Sequence, residues 1–194
     1  ALALLCASSA QATNVFINEI HYDNASTDVG EFFEVAAPIG TDLTSWSVAL
    51  YNGNNGGTYG TIELSTGTLV ENAGYSFMAI PRSGIQNGAP DGLALVDNLG
   101  AVVQFISYEG SMTATSGPAN GLISEDMGVS ETGSTPAGFS LQLAGTGSEY
   151  ADFTWQSPAA ATENAVNNEQ SFDEVDDGGD GGEEPSDPDV ISGS

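Results

Sequence analysis

The residues best suited to chemistry in this sequence lie in one short stretch after the first predicted strand. Asp23, Asn24, Asp28 and Glu31 fall within nine residues of one another. Calcium takes about six to eight oxygen ligands from carboxylates, side-chain amides and main-chain carbonyls on irregular loops. The spacing therefore predicts a calcium site formed by these four residues.

Two further carboxylates flank this loop. Glu19 and Glu34 lie on the two predicted strands that the loop connects. Their side chains could either coordinate the ion or support the loop around it. The alternative is a polar hairpin loop without a metal, in which both glutamates accept hydrogen bonds from nearby main chain. The sequence leaves both interpretations open.

A second calcium-like pattern lies near the end of the chain. Asp176, Gly178, Asp180 and Gly181 have the spacing of part of an EF-hand loop, but glycine stands at the third position and Asp187 at the twelfth. An EF-hand needs a bidentate glutamate at position twelve, and no helices are predicted on either side. A linker is the better interpretation of this segment.

Catalysis by this chain is not supported by its residues. His21 is the only histidine, and no Gly-x-Ser-x-Gly elbow accompanies it. Zinc sites need several His or Cys ligands, and the chain has one of each. No Gly-Lys-Ser/Thr sequence indicates a phosphate-binding loop. We therefore expect no active site, and we expect His21 to be solvated or locally hydrogen-bonded.

The charge of the chain argues against nucleic acid as a direct partner. The chain has 27 acidic residues, the single base Arg82 and no lysine, for a formal net charge of −26. Phosphate contacts in nucleic-acid complexes come mainly from Lys and Arg. Strong direct binding of nucleic acid by this module is therefore not expected. An acidic surface of this kind fits a saline extracellular setting.

Period-two alternation and Gly/Asn-rich turns predict an all-β fold, and no helical period extends over eleven residues. Many short strands at regular spacing are typical of a sandwich. The predicted strands cover residues 15–21, 31–36, 46–51, 58–64, 74–80, 93–97, 102–108, 139–143 and 153–155.

Two regions are candidates for a ligand surface. Tyr51 and Tyr59 bracket an Asn/Gly-rich turn at 52–57 and are predicted to be exposed, whereas Trp46 and Trp155 are predicted to be in the core. The long segment 109–137 is the second candidate. It is predicted as an ordered structural excursion with a short strand near 122–123, and a binding loop is the alternative.

Composition divides the chain into three parts. Residues 1–12 have an apolar run ending in a small-x-small site, which predicts the remnant of a secretory signal; the run is too short to span a bilayer. Residues 13–170 form the predicted sandwich. Residues 171–194 are rich in acid, Gly and Pro, and they predict a disordered linker that leads to a C-terminal domain of the same polypeptide beyond this chain. The expected localisation is extracellular.

The order of the strand motifs resembles the lamin-tail domain family, an immunoglobulin-like β-sandwich. The motifs are Ile17-Asn18-Glu19-Ile20, Glu31-Phe32-Phe33-Glu34-Val35, Thr41-Asp42-Leu43-Thr44-Ser45-Trp46-Ser47-Val48, Asp91-Gly92-Leu93-Ala94-Leu95-Val96-Asp97, Gly100-Ala101-Val102-Val103-Gln104-Phe105, Phe139-Ser140-Leu141-Gln142-Leu143 and Phe153-Thr154-Trp155. Members of this family usually end with a Thr-Pro-Gly run followed by Asn. This chain departs from that pattern and has Thr162-Glu163-Asn164-Ala165-Val166-Asn167 instead.

Within this family, the chain resembles the N-terminal module of large secreted bacterial nucleases, in which a metal-dependent catalytic domain follows the lamin-tail-like domain. The resemblance implies a non-catalytic accessory module for targeting, spacing or binding, with no catalytic residues of its own. The alternative is a calcium-supported adhesion or matrix-binding module with no nuclease attached. A free-standing hydrolase ranks last.

Overall fold

Twelve strands in two sheets make up the part of the chain that the structure describes. The computed structural model describes residues 14–88 and 90–173. The predicted signal at 1–12 and nearly all of the predicted linker at 171–194 lie outside these residues. Within the described ranges, helix is confined to single 3-10 turns at Leu64–Thr66 and Tyr150–Asp152. Among the described residues, no helix has the length and apolar character needed to cross a bilayer.

The strands agree closely with the predicted positions, and nine of them were predicted. In chain order they are β1 Phe16–His21, β2 Phe32–Pro38, β3 Ser47–Asn52, β4 Gly57–Glu63, β5 Val70–Asn72, β6 Tyr75–Pro81, β7 Asp91–Val96, β8 Val102–Tyr108, β9 Glu125–Asp126, β10 Phe139–Gly147, β11 Phe153–Ala160 and β12 Gln170–Phe172.

The two sheets are packed as a sandwich. The first sheet has the order β11–β10–β1–β2–β6–β5, with β12 also paired to β10, and the second has the order β4–β3–β7–β8–β9. All pairings are antiparallel except β10 with β12 and β8 with β9. This confirms the predicted all-β, Ig-like sandwich.

Alternation along the strands of the second sheet divides their side chains between two apolar clusters. Val48 and Leu50 of β3 join the main core, together with Ile17 and Phe33 of the first sheet. The intervening Ala49 and Tyr51 join a separate, smaller cluster. Because successive side chains of a strand point to opposite faces, both faces of the second sheet are covered.

The segment that follows β8 covers that outer face. Met112, Ala114 and Ala119 complete the smaller cluster, packing with Tyr51 and Phe105 of the sheet. The first half of the 109–137 segment is therefore a structural strap, as the first interpretation predicted. The short strand expected at 122–123 is a single bridge to residue 113, and a two-residue strand, β9, follows it.

Strand β12 belongs to the packed sandwich. Phe172 stacks on Tyr75 with ring centroids 4.0 Å apart and packs against the core. Gln170 is buried and pairs with Gly145 of β10. The predicted boundary at residue 170 therefore lies within the strand, and the packed chain continues at least to Phe172.

Candidate functional site

The predicted calcium loop connects β1 to β2, and Asn24 organises it from within. Asn24 is 1% exposed. Its Oδ1 accepts a hydrogen bond from the Val29 main-chain N at 2.9 Å, and its Nδ2 donates to the carbonyls of Ala25 and Thr27 at 2.9 and 3.2 Å. The side-chain oxygen of Asn24 is thus already engaged in holding the loop.

Asp23 and Asp28 are the two candidates that the loop brings together. Burial, followed by the adjacent Asp28 carboxylate, raises the pKa of Asp23. Asp28 accepts a hydrogen bond from the Asn24 main-chain N at 3.2 Å through Oδ1. Its Oδ2 accepts one from the Asn87 amide at 3.4 Å. Asn87, which sequence reasoning did not single out, therefore lies beside this acidic pair.

Glu31 makes a different contact. It is 8% exposed, and its Oε2 accepts a hydrogen bond from the Gly84 main-chain N at 2.8 Å. Its main-chain carbonyl accepts one from Arg82 N at 2.9 Å. Within residues 14–88 and 90–173, no group of three or more His, Cys, Asp and Glu is arranged to hold a metal ion. Calcium binding by Asp23, Asn24, Asp28 and Glu31 stays a prediction.

His21 is buried, so the expectation of a solvated histidine is wrong, whereas the alternative expectation of a locally hydrogen-bonded histidine is confirmed by its contacts with Asn24 and Val29. The residue is 1% exposed. Its Nδ1 lies 2.8 Å from Glu131 Oε1, and its Nε2 lies 3.2 Å from both Asn24 Oδ1 and the Val29 carbonyl. All three partners are acceptors, so both ring nitrogens act as donors in a protonated imidazolium. Burial lowers the pKa of His21, but the contacts with Glu131, Val29 and Asn24 outweigh burial and raise it overall.

Glu131 ties the second half of the long excursion to β1. It is fully buried, and its Oε2 accepts hydrogen bonds from the main-chain N of Tyr22 at 2.6 Å and of Asp23 at 3.0 Å. Its own N donates to the Tyr22 hydroxyl at 2.8 Å. Tyr22 in turn stacks on Tyr108 of β8 at 3.8 Å. The ion pair is therefore part of a packed structural joint.

Glu19 and Glu34 are cross-strand neighbours on β1 and β2, and both are fully buried. Glu19 accepts hydrogen bonds from Thr162 N at 2.9 Å and from the Ser140 hydroxyl at 2.5 Å. Glu34 accepts one from Asn164 N at 2.5 Å. The two carboxylates thus lie under the 161–169 loop and accept main-chain hydrogen bonds, as the polar alternative predicted.

The protonation of this pair is shifted by its surroundings. Burial, followed by the charge of Glu19, raises the pKa of Glu34 to about 8. Burial also raises the pKa of Glu19, although the hydrogen bonds from Ser140 and Thr162 oppose the shift. Glu163 is the other charge acting on both groups. Both carboxyl groups are buried beneath the 161–169 loop and are hydrogen-bonded to it, so the pair is a structural element of the fold.

The predicted aromatic ligand surface is not formed. Tyr51 is fully buried and Tyr59 packs against the core, so the expectation of exposed rings is wrong. Trp155 is buried as predicted, and Trp46 is half-buried against the core. The turn at 52–57 instead forms one wall of a polar depression of about 240 Å³, whose opposite wall is the segment just before β7.

Comparisons with known proteins identify no relative of this chain. No protein-family model, curated protein or solved structure matches the chain. The resemblance to the lamin-tail family therefore depends on the strand motifs alone.

Proposed function

We propose that this chain is a non-catalytic accessory module of a secreted bacterial protein. The observation that carries the proposal is the setting of its only histidine. A general base needs an unprotonated nitrogen within hydrogen-bond reach of its substrate. Both ring nitrogens of His21 instead donate to acceptor oxygens, and none of its three partners is a hydroxyl or thiol that it could activate.

The carboxylates support the same conclusion. Acid–base chemistry by two carboxyl groups requires both of them to face a substrate. Glu19 and Glu34 are fully buried, and hydrogen bonds from Thr162 and Asn164 cover them. They stabilise the closing loop and do not form an acid–base pair at the surface.

The parent protein that we propose is an extracellular DNA-degrading nuclease whose catalytic domain follows this module. Support comes from the strand motifs that resemble the lamin-tail family and from the charge. Arg82 is the only Lys or Arg in the chain, and its Nη1 donates to the Ser83 carbonyl at 2.7 Å. Contacts to DNA phosphates would therefore be supplied by the catalytic domain, and this module would target, space or stabilise it.

The test of this proposal is direct. The purified chain, incubated with plasmid DNA or a nitrophenyl ester in the presence of magnesium and calcium, should give no turnover above buffer. Turnover that disappears in His21→Ala would contradict the proposal. In the gene, the reading frame beyond Ser194 should encode the Asp, Asn and His motifs of a metal-dependent nuclease. Further β-repeats there would support adhesion instead.

The contact between Asp23 and Asp28 favours the alternative, a calcium-supported adhesion or matrix-binding module. If calcium binds only the native state, a free calcium concentration of ten times the Kd stabilises that state by about 1.4 kcal/mol. Millimolar calcium should then raise the thermal midpoint, and Asp28→Asn should remove the rise while Glu71→Gln on the exposed β5 keeps it. An equal effect of magnesium, or no shift, would remove the calcium argument.

A further inference from the structure

The polar depression lies where the turn after β3 faces the segment before β7. It has a volume of about 240 Å³. This is below the roughly 300 to 1,000 Å³ of pockets for drug-sized ligands, so it has room for one small ring. Its lining is Asn52, Asn54, Gln86, Asn87, Gly88, Pro90 and Asp91.

Asp91 joins the two walls of the depression. It is 2% exposed, and its two carboxylate oxygens accept hydrogen bonds from Gly53 N and Gly88 N, each at 2.9 Å. Gly53 also approaches the opposite wall closely, because a Cβ at this position would lie 1.8 Å from the Pro90 carbonyl oxygen. Any larger residue there would push the walls apart.

Gln86 is fixed from three sides. Its Oε1 accepts a hydrogen bond from the Asn52 amide at 2.5 Å, and its main-chain N donates to the Tyr59 hydroxyl at 3.0 Å. Its carbonyl accepts a hydrogen bond from the buried Tyr108 hydroxyl. The depression is therefore preformed, and a ligand would not have to order its walls.

Several polar groups of the lining keep free hydrogen-bonding capacity. Among the described residues, the Asn54 side chain, the Gln86 Nε2 and the Asn87 Oδ1 have no hydrogen-bond partner. Side-chain amides offer both donors and acceptors. The depression thus presents neutral donors and acceptors together, above a buried carboxylate.

This chemistry selects one class of ligand. Phosphate and carboxylate ligands are disfavoured, because the lining contains Asp91 and no cation. Apolar ligands are disfavoured as well, because they would cover the side-chain amides of Asn54 and Gln86 without offering them a hydrogen-bond partner. A sugar hydroxyl both donates and accepts, so neighbouring hydroxyls of one ring complement side-chain amides.

We propose that this amide-lined depression binds a single neutral saccharide unit through its hydroxyl groups. The site would provide the targeting part of the accessory role, so the inference rests on the function proposed above. The partner class is a neutral glycan, such as an extracellular or cell-surface polysaccharide.

Titration of the ¹⁵N-labelled full chain tests this proposal by NMR. The probes are glucose, galactose, N-acetylglucosamine and glucosamine. We expect at least one neutral sugar to shift main-chain amide signals at 52–54 and 86–88. Asn54→Ala and Gln86→Ala should each weaken binding about fivefold, the loss of one ordinary hydrogen bond. Asn98→Ala, an exposed amide on another turn, should bind as the wild type does.

Three outcomes would overturn the proposal: no shift with any neutral sugar, shifts elsewhere on the sandwich, or equal affinity in all three variants. Binding of the cationic glucosamine alone would show attraction to acidic groups and would also overturn it. The only hydrogen bond of Asn54 among the described residues is from its main-chain N to Asn52 Oδ1, which alanine keeps, so its variant should fold. Failure of sugar binding would leave the accessory role standing, whereas DNA hydrolysis by the chain would contradict that role itself.

Discussion

At the scale of single residues, Glu19 and Glu34 are buried side by side without a Lys or Arg partner. Their oxygens are satisfied by hydroxyl, amide and main-chain donors, of which Thr162 and Asn164 lie on the covering loop. Asn164 has a φ of +61°, a left-handed conformation that asparagine tolerates better than most residues. Burial without a cation shifts such groups toward their neutral form.

These shifts predict that the protein is most stable at mildly acidic pH. Folding raises the pKa of Glu34 from its ordinary value of 4.5 to about 8. Between these two pH values the folded state therefore binds more protons than the unfolded state. The free energy of unfolding therefore falls as pH rises through this window. The raised pKa values of Glu19 and His21 act in the same direction: the His21 contribution is complete below about pH 6.5 and is lost as pH rises through its folded pKa.

Thermal unfolding followed by circular dichroism between about pH 5 and pH 9 measures this dependence. Glu34→Gln keeps a neutral side chain at this position, so its midpoint should fall less steeply with pH than that of the wild type. Glu71→Gln on the exposed β5 should leave the slope unchanged. A wild-type midpoint that rises across this range would show that the pair is ionised in the folded state.

The His21–Glu131 pair predicts a large coupling energy. Removing one partner of a buried ion pair leaves an uncompensated charge and costs about 3 to 5 kcal/mol. His21→Gln and Glu131→Gln should each destabilise the fold strongly, and the double variant should cost clearly less than their sum. Chemical denaturation of the four proteins gives the coupling, and Glu63→Gln, on an exposed position of β4, is the control. Additive losses would mean that the pair does not act as a unit.

At the scale of elements, the Tyr51 hydroxyl binds two points of the strap over the second sheet. The Tyr51 hydroxyl accepts a hydrogen bond from Ala119 N at 2.9 Å and donates to the Ser116 carbonyl at 3.1 Å. Gly56 allows the close approach of the strap, because a Cβ there would lie 2.3 Å from the Thr113 carbonyl oxygen. The strap is thus held by both polar and apolar contacts.

Tyr51→Phe should loosen this strap while the sandwich stays folded. The change leaves the Ala119 N–H and the Ser116 carbonyl unpaired, at a cost of about 1 to 3 kcal/mol. Hydrogen exchange should become faster at 116–121 and remain slow in β3 and β7. Tyr150→Phe, which removes the hydroxyl that accepts from Trp155 at 3.2 Å, should not affect the strap. Equal exchange in wild type and Tyr51→Phe would contradict this role.

Nine strands followed from alternation and turn residues because those signals are local. The three missed strands, β5, β9 and β12, are two or three residues long, too short to show a period. β12 also adjoins an acidic stretch. The one large apolar residue of this strand, Phe172, is too little to distinguish it from the linker composition that follows. The place of β12 in the sandwich depends on distant partners, among them Tyr75, nearly a hundred residues earlier in the chain.

The contacts of the candidate site were less predictable, since they join distant parts of the chain. His21 and Asn24 are neighbours in sequence, and their contact is of the local kind that was expected. Glu131 is 110 residues from His21, in a segment rich in Ser, Thr and Gly that carries no strand signal. Asn87 meets Asp28 across 59 residues. No spacing rule connects such pairs before the sheets are assembled.

At the scale of the whole molecule, self-repulsion is the dominant electrostatic term. The formal net charge is −26, and the only ion pair among the described residues is the buried one between His21 and Glu131. Added salt therefore screens repulsion and has few attractive surface pairs to weaken.

This charge balance predicts that salt stabilises the protein. The screening length shortens from about 10 Å at 0.1 M to about 3 Å at 1 M salt. The thermal midpoint should rise with sodium chloride and level off as screening is completed. Potassium chloride should give the same curve, and glycerol should not reproduce the plateau. A midpoint that falls with salt would mean that attractive ion pairs outweigh repulsion.

The scarcity of cations also affects how the protein is degraded. Trypsin-like proteases cleave after Lys or Arg, and Arg82 supplies the only such bond in the chain. That bond directly follows β6, where the Arg82 main-chain N donates to the Glu31 carbonyl and its guanidinium donates to the Ser83 carbonyl. A protease must bind its substrate as an extended strand, so both contacts would have to break before cleavage. In a medium rich in such enzymes, this chain offers a single site of attack, and the fold itself restrains it.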